Sequence, residues 1–326
     1  MSRTTSGHLL IADISGYTQY LTSSELEHAQ EVLSSLMELL IDRTLPPLRV
    51  AGLRGDAVFS YGLAGAVQGG QTLVEMIEDT YVAFRRAIEQ MVLNTTCQCN
   101  ACANISTLDL KFLVHYGTFS ISPLRGSDEL VGSAVIEIHR LLKNRITDTT
   151  GIHAYAAYTA EAVEALGLDG FTTNLIRHTE TYPGLDPITV WIQDMHPVWE
   201  RDRDATRFRI SPDDVLVRVE DELPVPLGVA WELLLQPRYR SILFGLDRQE
   251  PSQRRQGRIA EGSVFTCYHG KSGVTTQTVL ALQPLQHMIT EDTTPIPGAR
   301  IFDEIRLQPR GHSTTVTITC SRARGP

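Results

Sequence analysis

Apolar residues recur along this chain with two periods. Residues 9–12 form a continuous apolar run that ends at Asp13, the pattern of a short buried strand. Over 17–43, Leu21, Leu26, Val32, Leu33, Leu36, Met37, Leu40 and Ile41 recur mostly three or four residues apart. That spacing predicts one amphipathic helix, or two short ones, stopped by Pro46-Pro47. Residues 49–61 read as a hairpin with Asp56 at its turn. A loop rich in Gly and Ala (62–70) leads to a helix over 71–94. A strand at 108–116, a turn at 123–128, a helix at 130–144, a strand at 152–158, a helix at 159–167 and a strand at 188–192 follow. This order predicts a ferredoxin-like α+β sandwich over residues 1–195.

Residues 196–212 are charged and contain prolines, and they read as a linker in which Trp199 packs. The segment 213–326 opens on an alternating strand, V-L-V-R-V-E-D-E-L, and a helix that starts just past Pro224 and Pro226. Strand-like runs then recur at 262–270, 274–283, 285–292, 300–308 and 313–320, which predicts a long antiparallel meander.

With 326 residues, 42% hydrophobic and 21% charged, the composition suits two globular domains. No run of about 18 apolar residues occurs, so no membrane span is expected. The N-terminus has no signal-peptide layout, which makes a cytoplasmic location the default expectation. Residues 1–205 carry 14 basic against 25 acidic side chains, net −11, while 206–326 carry 15 against 13, net +2. This is no footprint for nucleic acid.

Two acids stand where chemistry is expected. Asp13 ends the buried strand in I-A-D-I-S-G-Y-T, and Asp56 follows Gly55 in R-G-D-A-V-F. As an alternative, Asp13 caps the helix that follows. Two carboxylates meeting from separate strands are what hard cations such as magnesium or manganese require. Together the two fragments resemble the catalytic domain of class III nucleotidyl cyclases, whose first strand ends F-x-D-I-x-G-[FY]-[ST] and whose second Asp follows Gly in a strand-turn-strand. The resemblance implies that Asp13 and Asp56 hold a pair of magnesium or manganese ions over a nucleoside triphosphate. It implies too that Ile14, Ser15, Gly16, Tyr17 and Thr18 surround the phosphates. The stretch L-V-G-S-A-V-I-E-I-H-R-L resembles the family's Asn–Arg helix, with Arg140 at the Arg position as a phosphate clamp. A surface salt bridge from Arg140 to Glu137 is the alternative. In the family, sites form between two copies, so a homodimer is implied, with Asp56 and Arg140 meeting across a two-fold axis.

Three family groups are missing. Ile136 replaces the Asn, Gly52 stands where a base-reading Lys is usual, and Pro183 stands where a second Lys neutralises phosphate. Losing one such electrostatic group typically costs about 10²–10³ in rate, so little cyclase activity is expected.

Cys97, Cys99 and Cys102 place three thiols within six residues. Thiolates so spaced can share one structural zinc, with a fourth ligand sought among His115, His139, His153 and His178. Redox, palmitoylation and simple packing are the alternatives. Cys267 and Cys320 read as core thiols.

The one-strand, one-helix, meander order of 213–326 resembles the helix-grip START-like (SRPBCC) fold, on the fragments E-G-S-V-F-T-C-Y-H-G and F-D-E-I-R-L-Q-P. That family's long C-terminal helix has no counterpart before Pro326. The likeness implies a cavity for a hydrophobic small molecule, with Val264, Val279, Ile289, Phe302 and Val316 expected to point inward and Trp231 or Leu234 facing them from the helix. The functional expectation is a signalling or sensor protein. In it, a nucleotide- and metal-binding cyclase-like domain of weak or no activity is coupled to a hydrophobic-ligand domain. The alternatives are an active cyclase with unusual catalytic groups, regulated by that second domain, and a non-catalytic dimerisation module.

Overall fold

The computed structural model describes residues 3–44, 46–66, 69–94, 97, 99–124, 127–168, 170–204, 209–254, 257–270, 273–293 and 298–323. The loop at 62–70, the turn at 123–128 and the linker at 196–212 each lie partly outside the described residues. The chain divides into two compact units, Met1–Gly167 with Phe171–Arg203, and Asp204–Pro326 with Leu168–Gly170.

The strands of the first unit are β1 (Arg3–Ser15), β2 (Arg49–Arg54), β3 (Ala57–Leu63), β4 (Asp109–Leu124), β5 (Ser127–Val131), β6 (Tyr155–Thr159), β7 (Ile176–Glu180) and β8 (Ile188–Asp194). Its helices are α1 (Tyr17–Thr22), α2 (Leu26–Arg43), α3 (Gly70–Asn94), α4 (Asn100–Asn104), α5 (Ser133–Leu141), α6 (Ile146–Thr150), α7 (Ala160–Leu166) and α8 (His196–Asp204). The strands form one mixed sheet ordered β2-β3-β1-β4-β6-β8-β7, with β5 paired to β4, and β4 runs parallel to β6.

β1 is buried on both faces, which is why its sequence is a continuous apolar run. Leu9 and Ile11 join Phe59, Leu113 and, from α5, Ile138 and Leu141. On the other face Leu10, Ala12, Val58 and Phe112 meet Leu40 of α2 and Met76 and Ile77 of α3. The buried stretch of α3 also carries three acids, and each has a donor. Gln71 Nε2 donates to Glu75 at 2.9 Å, Gln193 Nε2 to Glu78 at 2.6 Å, and Arg43 to Asp79 at 2.7 Å.

The helical pattern at 17–43 takes the two-helix alternative, α1 and α2, with Glu25 extended between them, although α2 runs for 18 residues. Several other elements differ from the sequence-based expectation. The expected helix at 130–144 is shorter, because residues up to Val131 pair with β4 as β5. β7 was not expected; it is a largely exposed edge strand without apolar alternation. The expected linker is helical over α8, where Val198 and Trp199 are buried and Asp202 pairs with Arg86 at 2.6 Å.

Among the described residues the second unit is a seven-stranded antiparallel sheet with two α-helices. β9 (Val215–Leu223) leads into α9 (Leu227–Leu235) and α10 (Pro237–Leu243). Six strands follow: β10 (Arg248–Gln253), β11 (Val264–His269), β12 (Gly273–Gln283), β13 (His287–Thr293), β14 (Arg300–Arg310) and β15 (Ser313–Ser321). They pair in chain order, and β9 joins the sheet beside β15. β10, R-Q-E-P-S-Q, is polar and holds a proline, which suits an edge strand and hid it from pattern reading.

Register corrects the expectation of one inward-facing set in this unit. Val279 and Val316 lie on the face that carries Gln277, Asp303 and Leu307, whereas Val264, Ile289 and Phe302 lie on the opposite face with Thr278, Glu291 and Glu304. The helices cover the first of these faces. Arg240 of α10, fully buried, donates to Gln249 Oε1 at 3.0 Å, to Gln277 Oε1 and to the Leu234 carbonyl at 3.3 Å. Its guanidinium also lies over the Phe265 ring, 4.8 Å from the centroid.

Asp292 of β13 shares that face with Asp303 of β14 and Cys320 of β15. Burial first, then the charge of Asp303, pushes the Asp292 carboxyl up to about 8, against the pull of Gln277 and Arg240. A carboxyl raised in this way binds its proton more tightly in the folded chain than in the unfolded one. Its stabilising contribution is therefore complete below about pH 4, the unfolded value, and is lost as pH rises through about 8. Asp292→Asn, which keeps the shape of the protonated acid, should flatten this loss. Melting temperatures of the native chain and the variant, compared across that range, check it, and parallel profiles would refute it.

Candidate functional site

The site is built by one strand and one turn. Asp13 of β1 stands opposite Ala57 of β3 on one side and Lys111 of β4 on the other. Gly55 and Asp56 form the two-residue loop between β2 and β3, with Gly55 at φ +70°, where a glycine is favoured in the first loop position. The Ile14 amide donates to the Asp56 carbonyl at 3.1 Å and ties the turn to β1. The two acids thus share a corner at the end of the core that α5 covers.

That corner is electrostatically unsatisfied. Burial first, then the negative charge of Asp56, pushes the Asp13 carboxyl up to about 6, and Lys111 opposes the shift. Asp56 is raised too, chiefly by burial, against its own backbone amide and Lys111. The Ser15 hydroxyl is buried with no hydrogen-bond partner among the described residues. Two carboxylates and an idle hydroxyl make a hard oxygen donor set, and it fits a magnesium or manganese ion. A bound cation would reverse the proton preference of both acids.

Among the residues around Asp13, Ile14 is core and Thr18 is exposed. Gly16, at φ +85°, caps α1, and a Cβ there would lie 3.2 Å from the Thr107 carbonyl, so the position requires glycine. Tyr17 starts α1, a helix of only six residues. Tyr155, whose hydroxyl donates to Asn144 Oδ1 at 2.9 Å, stands beside Lys111 on the neighbouring strand β6.

Arg140 is exposed on α5 and makes no ion pair among the described residues. Its alternative partner, Glu137, lies instead 3.5 Å from His115 Nε2. Ile136, one turn before Arg140, exposes 54% of its surface, so an apolar side chain stands on the helix face where the family's Asn was expected. Gly52 sits at a bulge in β2 and Pro183 is exposed.

The cysteines form a second cluster. His28 of α2, Cys97, Cys99 and Cys102 bring one donor atom each to within 4.8 Å of one another. None of the four histidines expected from sequence takes part. His115 is buried against Thr159, His139 bonds the Val135 carbonyl, His178 bonds Glu180, and His153 is exposed. The Cys102 amide, and after it His28, brings the Cys99 thiol down to about 7. Sequence reasoning missed His28 and Lys111. His28 lies about seventy residues from the cysteines and carries no local signal, and Lys111 becomes part of the site only through the β1–β4 register.

Residues 33–150 match a family model described as "Protein of unknown function (DUF2652)". The uncharacterized protein Rv2561/Rv2562 of Mycobacterium tuberculosis is 31% identical over 117 residues, 35% of this chain and 52% of that protein. The chain thus spans about half the length of the curated relative it matches. Among solved structures it is similar to the guanylyl cyclase Cya2, at 17% identity and a TM-score of 0.44, over 59% of this chain and 92% of that one. It is also similar to a bacterial light-regulated adenylyl cyclase, at 13% identity and a TM-score of 0.45, over 62% of this chain and 58% of that one. Over about 60% of its length the chain thus has adenylyl and guanylyl cyclases as structural neighbours.

Proposed function

We propose that the first unit binds a nucleoside triphosphate together with magnesium or manganese and turns it over weakly or not at all. The observation that carries this reading is the meeting of Asp13 and Asp56 at one corner beside the unpartnered Ser15 hydroxyl. Asp13 and Asp56 hold the cation, and the backbone of Ile14, Ser15, Gly16, Tyr17 and Thr18 faces the phosphates. The cation neutralises triphosphate charge, and Lys111 adds a fixed positive charge beside it. The positions where the resemblance expects turnover groups hold Ile136, Gly52 and Pro183, whose side chains offer no donor to developing charge.

Calorimetry with a non-hydrolysable triphosphate and Mn²⁺ should show saturable binding. Asp13→Asn should weaken it by at least about 100-fold, since losing mere outer-shell partners of a metal already costs about 10–100-fold. Assays for cyclic product from ATP or GTP should stay near background. Absence of binding would leave the acids as relics in a pairing module, and rapid cyclic-product formation would make the unit an active cyclase; either result defeats the proposal.

The exposed stripe of Ile136 and Arg140 supports self-association of this unit as a homodimer, with Arg140 of one copy reaching the Asp56 corner of another. Light scattering at micromolar concentration should give twice the chain mass, and Arg140→Glu should lower it. A monomer under all conditions would count against this.

The second unit, on this reading, binds a hydrophobic small molecule in a START-like manner, and the whole chain acts as a sensor. Trp231, Leu234, Val279 and Val316 are buried apolar groups, the two valines on the helix-covered face, and the polar group around Arg240 suits a ligand with one polar end. Fatty acids should displace an environment-sensitive dye from the full chain, and Val279→Asp should abolish the effect. Failure of the dye and of fatty acids to bind would remove the ligand role.

A further inference from the structure

The His28 cluster differs in kind from the Asp13 corner. Its donors are three sulfurs and an imidazole nitrogen, which are soft ligands that select zinc over magnesium. Zinc bonds sulfur at about 2.3 Å and nitrogen at about 2.0 Å, so the donors of a tetrahedral site stand about 3.5–3.8 Å apart. His28 Nδ1 lies 3.2 Å from Cys99 Sγ and 3.7 Å from Cys97 Sγ, close to that edge length. All four donor atoms fall within 4.8 Å of one another, so a small contraction completes the tetrahedron.

The surroundings are built for such an ion. The Cys102 amide donates to Cys99 Sγ at 3.4 Å, a backbone donor already aimed at a ligand sulfur. Glu25, at the head of α2, accepts from the Ala101 amide at 3.0 Å and from Asn100 Nδ2 at 3.3 Å, so protein contacts hold α4 against α2 at this point. Tyr20 of α1 is buried, and its hydroxyl has no hydrogen-bond partner among the described residues. Three thiolates packed this closely repel one another unless a cation sits among them.

We propose that His28, Cys97, Cys99 and Cys102 hold one tetrahedral zinc ion that braces α4 against α1 and α2. Four protein ligands leave no open position, so the ion is structural and takes no substrate. The brace acts on the helix that follows Gly16, which gives the nearby acid corner a fixed wall without sharing its metal.

The test uses the full-length chain, purified without chelator and kept reduced. Elemental analysis should find one zinc per chain, and the metal-depleted protein should take up one Co²⁺ with the intense visible bands of tetrahedral cobalt and a thiolate charge-transfer band. His28→Gln, a change at an exposed residue, should weaken zinc binding by about 10–100-fold, and Cys102→Ser by more. Asp13→Asn should keep its zinc, which separates this site from the nucleotide–metal reading. Chelation should speed hydrogen exchange at residues 17–28 and 99–104. Failure to take up stoichiometric zinc, an octahedral cobalt spectrum, or native zinc affinity in His28→Gln would each overturn the proposal.

Discussion

The register of β1 between β3 and β4 decides what the first unit offers to a ligand. Shifting a strand by one residue sends every side chain to the other face of the sheet. Here such a slip would carry Asp13 away from the α5-covered core and remove its pairing with the Asp56 turn. Both faces of β1 are buried, so polarity alone does not fix the register. Contacts at its two ends do. Near the start, Gly7 passes so close to the Gly62 carbonyl that no side chain fits, and near the finish the Ile14 amide holds the Asp56 carbonyl. The site therefore rests on two backbone approaches, one at each end of an apolar run.

What the sequence revealed and what it hid divide along the same line. β1, the Asp56 hairpin and α3 were legible because their signals are local: an apolar run, a glycine before an acid, and a helical period. β5, β7 and β10 were not, because edge strands bury too little to need an apolar face. The acid pair could be anticipated from two short fragments. Lys111 could not, since its place beside Asp13 exists only once β4 lies next to β1. His28 was hidden in the same way, by chain distance. In the second unit, alternation along each strand was readable, but the phase between strands was not. Val264 and Val279 look equivalent in sequence and stand on opposite faces.

Within the first unit, acids buried side by side receive different treatment, and the difference separates scaffold from site. The free-energy cost of an ionised carboxylate in a protein interior must be offset by a donor, a proton or a cation. Glu75, Glu78 and Asp79 on α3 take the first course: each has a nitrogen donor within 2.9 Å, and they serve to fix the helix. Among the described residues Asp13 and Asp56 have no side-chain donor of this kind; Asp56 is met by its own backbone amide, and Lys111 only moderates their repulsion.

The second unit shows the remaining course. Asp292 and Asp303 lie near a guanidinium, yet Arg240 spends its N–H groups on Gln249, Gln277 and the Leu234 carbonyl. Burial and the neighbouring Asp303 therefore favour the protonated form of Asp292 over the charged one. At the Asp13 corner the hydroxyl of Ser15 is idle, and the acids come from a strand end and a turn. Such an arrangement gains more from an ion that gathers several oxygens at once than from a proton that serves one or two. The contrast between a satisfied acid row, a proton-holding pair and an idle oxygen set is the physical reason to look for the cation in the first unit.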